Sequence, residues 1–523
     1  MAKPGTFNLI LFAFLAPFLF TACTPALHLL VRDGLVYDGT GAPAYRADIG
    51  IISDSIAFVG DSRALKLKAQ RVVDASGYLV TPGFIDPHTH VDLDLFHPER
   101  RALLSHMYQG VTTLVVGSDG EGAVAAGFLL NRLDSSGVGV NVGAFIGHNG
   151  LRRAVMGVSD EAPTEAQMEE MKALLARGMA DGVLGLSAGL FYTPGSFAET
   201  EEVIELAKEA ARAGGIYDVH LRDESSYNIG LLAAVDETIL IAEEAGIPAN
   251  IAHIKALGTD VWGKSSAVIA RIESARARGL RITADQYPYQ ASSTGLHAAL
   301  LPRWVFADDP DYHNKLNDSL LLPEIRAGMA ENLQRRGGAG AILLSLPERM
   351  EEVRGKTLEE VAAAWAVSPV EAALRVMRNG SSKIVSFNMT ESDILAFMQQ
   401  PWVMTSSDGG AGHPRKYGSF PRKIKTFVLE KQAISLGEMI HRSTLLTAQT
   451  FGIPRRGRLA PGFFADLIVF RPEEVRDVAD FENPFEYATG MHYVIVNGQV
   501  AIEKGQYTGK LAGRAVRRKA GRP

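Results

Sequence analysis

Between residues 84 and 409, short apolar runs alternate with longer segments in which apolar positions recur every three or four residues. The runs are FIDPHTH (84 to 90), TLVVGSD (113 to 119), NVGAFIGH (141 to 148), GVLGLSAG (182 to 189), IYDVHLR (216 to 222), NIAHIK (250 to 255), RITADQYPY (281 to 289) and WVMTSSDG (402 to 409). A strand buried on both faces of a parallel sheet reads as a continuous run of this kind. The intervening helices are clearest at 198 to 214, 229 to 246 and 265 to 279, and each ends at a glycine, a helix stop signal. Eight strands alternating with helices predict an α/β fold, a (β/α)8 TIM-type barrel over residues 83 to 454.

Two parts of the chain depart from that rhythm. AILLSLP (341 to 347) and KIVSFNM (383 to 389) are further strand candidates, and either also fits a barrel strand. The stretch from 300 to 380 is too long for one connection, so it reads as a late insertion with its own elements, a candidate lid. From Leu27 to Pro82, short apolar runs are broken by Asp-Gly, Gly-Thr-Gly and Ser-Gly turns, and the same texture returns in GRLAPGFFADLIVF and MHYVIVNGQVAIEKGQYTG. These pieces form either two caps or one small β-domain built from both chain ends.

The 523 residues carry a net charge of -6 with the signs interspersed, which gives no reason to expect a nucleic-acid partner. Apolar residues make up 46% and charged residues 21%, as in an ordinary globular protein. The single cysteine, Cys23, excludes an intramolecular disulfide and a thiolate-rich metal site. It follows the run FNLILFAFLAPFLFTA (7 to 22) behind Lys3, the layout of a signal peptide over residues 1 to 22. FTAC resembles a bacterial lipobox, although Phe20 stands where leucine is usual. Lipidation at Cys23 is therefore expected, with export to the periplasm or to a membrane surface. Any membrane contact would run through this signal or lipid anchor alone.

Candidate chemistry collects at one end of the predicted strands. His88 and His90 close the first, Asp119 the second, His148 the third, His220 the fifth, His253 the sixth and Asp408 the last. Catalytic residues of such barrels lie at the C-terminal ends of the strands. In an extended run, residues two apart share a face, so His88 and His90 can reach one cation. Imidazoles with carboxylates suit zinc, which polarises a carbonyl and brings bound water to a pKa of roughly 7. A carboxylate must then move the proton, and Asp408 is the candidate. Asp86 reads as a structural residue. His28, His97, His106, His297, His313, His441 and His492 hold no comparable position and read as surface or packing residues.

The motifs TPGFIDPHTH, GVTTLVVG, GHNGLRRAVMG, GLSAGLFYTPGSFAETEEV, VHLRDES, IAHIKALG, TADQYPYQAS, SSDGGAGHPRKYGSFPR, ADLIVF and AGRAVRR run over nearly the whole mature chain. In this ordered set the sequence resembles the N-acyl-D-amino-acid deacylases (D-aminoacylases) of the amidohydrolase superfamily. The resemblance implies a zinc-dependent amidase that cleaves the linear amide of N-acyl-D-amino acids. It also implies a β-sandwich domain composed of 27 to 82 and 455 to 510. His220 and His253 would hold one tight zinc. His88, His90 and Asp408 would surround a second, weaker position, with Asp408 as general base and then acid. Tyr192, Lys255, Arg415 and a tyrosine of the YPY run, Tyr287 or Tyr289, would hold the substrate. One departure is the GSDG turn, where Asp119 stands in place of the cysteine usual in the family; it is expected to be a metal ligand.

A cyclic-amide hydrolase of the dihydroorotase or hydantoinase kind is the competing enzyme reading. It lacks these motifs and typically uses a carboxylated lysine to bridge two metals. A substrate-binding lipoprotein without catalysis has no chemical need for His88, His90, His220, His253 and Asp408 together.

Overall fold

A computed structural model describes residues 26 to 308 and 311 to 518. The signal segment and Cys23 lie outside the described residues. Eight parallel strands form the barrel, in chain order Phe84–Asp86, Val111–Val116, Asn141–Ala144 continued by Ile146–Gly147, Gly185–Gly189, Ile216–His220, Ala249–Ile251, Ile282–Gln286 and Val403–Thr405. Phe145 interrupts the third strand: its first part pairs with the second strand and its second part with the fourth. Closure comes from a parallel bridge between Thr89 and Gly409, just beyond the first and last strands. Asp408 N also donates to His88 O at 3.0 Å, and Ser407 N donates to Asp86 Oδ1 at 3.0 Å. Asp86 is thus the carboxylate that ties the two ends of the ring together.

Helices cover the outside of the ring. Thr200–Arg212, Leu231–Ala245 and Ser265–Ala277 bury Val203, Leu206, Val235, Ile241, Val268 and Ile272 in one cluster with the strand residues Leu186, Tyr217, Ile251 and Ile282. Gly246 ends the second of these helices at φ 63, in the left-handed conformation that glycine adopts without a Cβ penalty.

Both chain ends meet in one β-domain. Leu79–Pro82 pairs antiparallel with Leu467–Phe470, in the register Leu467 to Pro82. Among the described residues the hydrogen-bond path is a single nine-stranded sheet, with Ala69–Asp74 branching from Leu27–Val36. The sheet folds onto a shared core in which Leu29, Ile49 and Val80 meet Leu467, Val469 and Ile495. Where a sandwich of two sheets was expected, the strands of both chain ends are hydrogen-bonded into one continuous sheet. Between Val31 and Gly34 the first strand shifts register, and a Cβ on Gly34 would lie 2.4 Å from Val80 Cγ2.

The insertion starts earlier and ends later than the sequence pattern indicates. Ile342–Pro347 and Ser382–Phe387 are not barrel strands; they form a three-stranded antiparallel sheet with Ala291–Gly295. Its separate core packs Leu296, Leu300, Val305, Ile325, Leu344, Leu374 and Ile384. The short strand ASSTG carries almost no apolar signal, so it reads as loop, and its pairing is set by the two stronger strands beside it.

Candidate metal centre

The side chains of His88, His90, Asp119, His220, His253 and Asp408 converge just past the ends of the first, second, fifth, sixth and eighth strands. Asp119 sits at their middle. Its Oδ1 lies 3.4 Å from His88 Nε2 and 3.3 Å from His253 Nε2, and its Oδ2 lies 3.4 Å from His90 Nε2 and 3.5 Å from His220 Nδ1. His220 Nδ1 and His253 Nε2 approach to 3.0 Å. Asp408 Oδ1 is 3.2 Å from His90 Nε2 and 3.8 Å from His88 Nε2. Three of these residues hold left-handed backbone conformations rare outside glycine: Asp119 at φ 54, His253 at φ 35 and Asp408 at φ 47. Each such departure costs on the order of 1 kcal/mol or more and persists only where surrounding contacts fix it.

The donor set fits a divalent cation. Among the described residues, His88 Nε2 and Asp119 Oδ1 are buried without a hydrogen-bond partner, although they lie 3.4 Å apart. Ligand atoms fall into three overlapping groups, His88 with His90 and Asp408, His88 with Asp119 and His253, and His220 with Glu224 and His253. The electrostatics agree. Burial opposes a charge on His90, yet hydrogen bonds to Asp119 and Asp408 lift it to about 10. On His253, burial and Lys255 both oppose charge, yet Asp119, Asp408 and Glu224 lift it to about 10. Imidazoles held protonated by surplus negative charge mark the place where a metal ion would supply the positive charge instead. His88, where burial outweighs its carboxylate neighbours, is held neutral, the form that ligates.

Glu224 is the member of the cluster that sequence reasoning missed. Its Oε1 is 3.2 Å from His253 Nδ1, its Oε2 is 3.6 Å from His220 Nε2, and it forms a short contact with Lys255 Nζ. Burial would raise its carboxyl, but Lys255, His220 and His253 hold it well below the usual range. The residue stands four positions after His220, inside the VHLRDES motif, and that spacing was the available signal. Lys255 Nζ also lies 2.7 Å from His253 Nδ1, so once a metal at Nε2 replaced the ring proton, the ammonium would donate to Nδ1.

A cavity of about 970 Å³ opens onto the cluster. Its walls include the expected Tyr192, Lys255, Tyr287 and Arg415. Tyr192 Oη is 3.3 Å from Thr294 Oγ1 and its ring lies against His220. Arg415 stacks 4.5 Å over the Tyr287 ring, and its Nη1 reaches within 2.8 Å of Asp408 Oδ2. Burial would raise Asp408, but Arg415 and then His253 hold its carboxyl well below the usual range.

Two expectations fail here. Tyr289 does not line the cavity; it packs on His413 and Phe481 with Arg422 over its ring, three residues beyond the end of the strand Ile282–Gln286, where strand alternation no longer sets its side. His148 opens the helix His148–Met156, and its Nε2 pairs with Glu202 at 2.8 Å, away from the cluster. The insertion contributes wall residues that the sequence did not single out, among them Arg303, Arg336 and Lys383.

Imidazoles and carboxylates gathered at the C-terminal mouth of a parallel barrel, with an acid–base carboxylate beside them, define a metal-dependent hydrolase. The amidohydrolase family profile matches residues 71–286 and 329–502, and the chain belongs to that family. It is 34% identical to the D-aminoacylase of Alcaligenes xylosoxydans xylosoxydans over 94% of this chain and 98% of that one. A D-aminoacylase structure described by its binuclear metal centre, with one-metal activation and second-metal attenuation, aligns at a TM-score of 0.81 and 32% identity over 94% of this chain and all of the other. The N-acyl-D-glutamate deacylase of Bordetella bronchiseptica, solved with zinc and a phosphonate mimic of the tetrahedral intermediate, aligns at 0.81 and 31% identity over the same shares.

Proposed function

We propose that this protein hydrolyses N-acyl-D-amino acids to a carboxylate and a free D-amino acid, with zinc as its metal, and favours substrates whose side chain is itself anionic. The observation that carries the reaction is the placement of Asp408 and Arg415 between the histidine cluster and the cavity. His220, His253 and Asp119 would hold the tighter ion, and His88, His90 and Asp408 the weaker. Bound zinc supplies Lewis acidity toward the amide carbonyl and a water acidic enough to ionise near neutral pH. Asp408, held ionised by Arg415, accepts the proton of the attacking water at its carboxylate and returns it to the departing nitrogen. Arg415 and Tyr287 present a planar cation and a hydroxyl to the substrate's α-carboxylate. D-selectivity and the linear amide rest on the similarity to the D-aminoacylases.

The side-chain preference rests on the insertion. Arg303 and Arg336 line the cavity, and among the described residues neither has a carboxylate within ion-pair distance. Arg303 Nη2 and Arg336 Nη1 are buried without a hydrogen-bond partner. Burial holds the Arg303 guanidinium down at about 10, so it remains a cation at neutral pH. A second carboxylate on the substrate would satisfy both groups.

A panel of N-acetyl-D-glutamate, N-acetyl-D-leucine, N-acetyl-L-glutamate and a hydantoin decides among the readings. Amine released from the D-substrates alone supports the deacylase. A kcat/KM for D-glutamate about tenfold or more above D-leucine, lost in Arg303→Ala and Arg336→Ala, supports the acidic preference. Ring opening would instead support a cyclic-amide hydrolase, and binding without turnover a receptor.

Export and lipidation at Cys23 belong to the same proposal. They rest on the apolar run 7 to 22 and the FTAC ending. Radiolabelled palmitate should be incorporated into the wild-type chain and not into Cys23→Ala.

A further inference from the structure

Branched apolar side chains normally fill the interior of a parallel barrel in layers. Beneath the metal cluster, three adjacent strands instead contribute Asp218, Asn250 and Asp285, each with no exposed surface. Asn250 Nδ2 donates to Asp218 Oδ1 at 2.8 Å and to Asp285 Oδ2 at 2.7 Å. Thr283 Oγ1 donates to Asn250 Oδ1 at 3.1 Å, which fixes the amide so that both its hydrogens face the carboxylates. The remaining oxygen of Asp285 leaves this row: Oδ1 accepts the backbone N–H of His253 at 3.0 Å.

That bond lands on a residue with a difficult backbone. His253 stands at φ 35, two residues past the end of its strand, Ala249–Ile251, and is 2% exposed. An extended backbone at this position would alternate the ring onto the other face of the strand, away from Asp119 and His220. The left-handed turn keeps the ring in the cluster, and among the described residues the acceptor that receives its buried amide is Asp285 Oδ1. A buried amide without that acceptor would favour any rearrangement that paired it.

We infer that Asp285 is a positioning residue, which holds His253 in its left-handed conformation and thereby aims the imidazole at the metal position. The inference rests on reading the histidine cluster as a metal centre, and not on the identity of the substrate. The role needs an acceptor oxygen at this point, not a particular charge. Asp218 is the internal control, because it shares Asn250 with Asp285 but makes no bond to His253.

The test uses the metal-free full-length mature protein with zinc as the probe, titrated in competition with a chromophoric chelator. Asp285→Leu should weaken the tight zinc site at least about tenfold and lower kcat with little change in KM. Asp285→Asn keeps an oxygen for the His253 amide but turns its NH2 toward Asn250, so zinc affinity should fall less than in Asp285→Leu, and Asp218→Leu should lower thermal stability while leaving zinc affinity near wild type. Wild-type zinc affinity in folded Asp285→Leu would overturn the inference, as would an equal loss in Asp218→Leu. The wild-type protein supplies a readout that needs no variant: the His253 amide should be among its slowest to exchange, and fast exchange there would also sink the idea. Zinc affinity and exchange are read without turnover, so a protein that cleaves nothing in the substrate panel would refute the deacylase reading and leave this one standing.

Discussion

Arg415 Nη1 stands 2.8 Å from Asp408 Oδ2, so the cation expected to hold the substrate's carboxylate also touches the carboxylate expected to move the proton. The contact is not aligned as a hydrogen bond: Arg415 Nε and Nη1 both remain without a hydrogen-bond partner among the described residues. The guanidinium can therefore keep Asp408 ionised and still offer its fork to an incoming carboxylate.

Substitutions at the two positions should separate these tasks. Asp408→Asn removes the proton carrier without changing its shape, and turnover should fall by about 10²–10⁴-fold. Arg415→Lys keeps a charge but loses the planar fork, so KM should rise about tenfold or more while kcat changes less. Steady-state kinetics on the two variants, with circular dichroism as the check on folding, would measure both. Equal losses in kcat for the two would mean that Arg415 does not act through binding.

Asp119 contacts four histidines, two on each side of the cluster. Asp119→Ala should release bound metal, with affinity at the remaining site down by about 100-fold or more, read by elemental analysis after dialysis. Asp119→Cys places at this position the thiolate usual in the resembled family, and it should retain at least one zinc and measurable turnover. A metal-replete, fully active Asp119→Ala protein would show that this aspartate is only a turn residue.

The legible parts of the molecule were those encoded locally. Eight apolar runs marked the barrel strands, and His88, His90, Asp119, His220, His253 and Asp408 stood at their ends. The failures share a physical cause, since each depends on where a loop travels after its strand. Glu224 reaches the cluster through the irregular loop after His220. Tyr289 and His148 leave it because one lies past the end of the strand Ile282–Gln286 and the other opens the helix His148–Met156. Arg303 and Arg336 enter the wall only through the insertion's own packing, which no short-range pattern announces.

Glu224 should prove as important as the expected ligands. Glu224→Ala leaves Lys255, which is 5% exposed, beside His253 Nδ1 without its carboxylate partner. A buried cation next to a metal-binding imidazole disfavours a second positive charge there. Zinc affinity at the His220 and His253 position should drop about 10–100-fold, the usual effect of removing a group that orients metal ligands. The double variant Glu224→Ala with Lys255→Met should recover part of that loss; no recovery would mean that Glu224 acts as a ligand in its own right.

Acid stability should carry the signature of His106. The ring is fully buried, 3.6 Å from Asp86 and 3.4 Å from Ser407 Oγ, and burial together with the charge of Lys416 pushes it down to about 3. In the unfolded chain the same ring titrates at 6.5. Between those values the unfolded chain binds a proton that the folded chain refuses, so stability falls as the pH drops below 6.5. The slope from this one group approaches roughly 1.4 kcal/mol per pH unit. Urea midpoints between pH 7.5 and 5 should fall more steeply for the wild type than for His106→Gln, which keeps polar atoms but cannot titrate. Parallel profiles for the two proteins would mean that His106 is not the group that sets the acid limit.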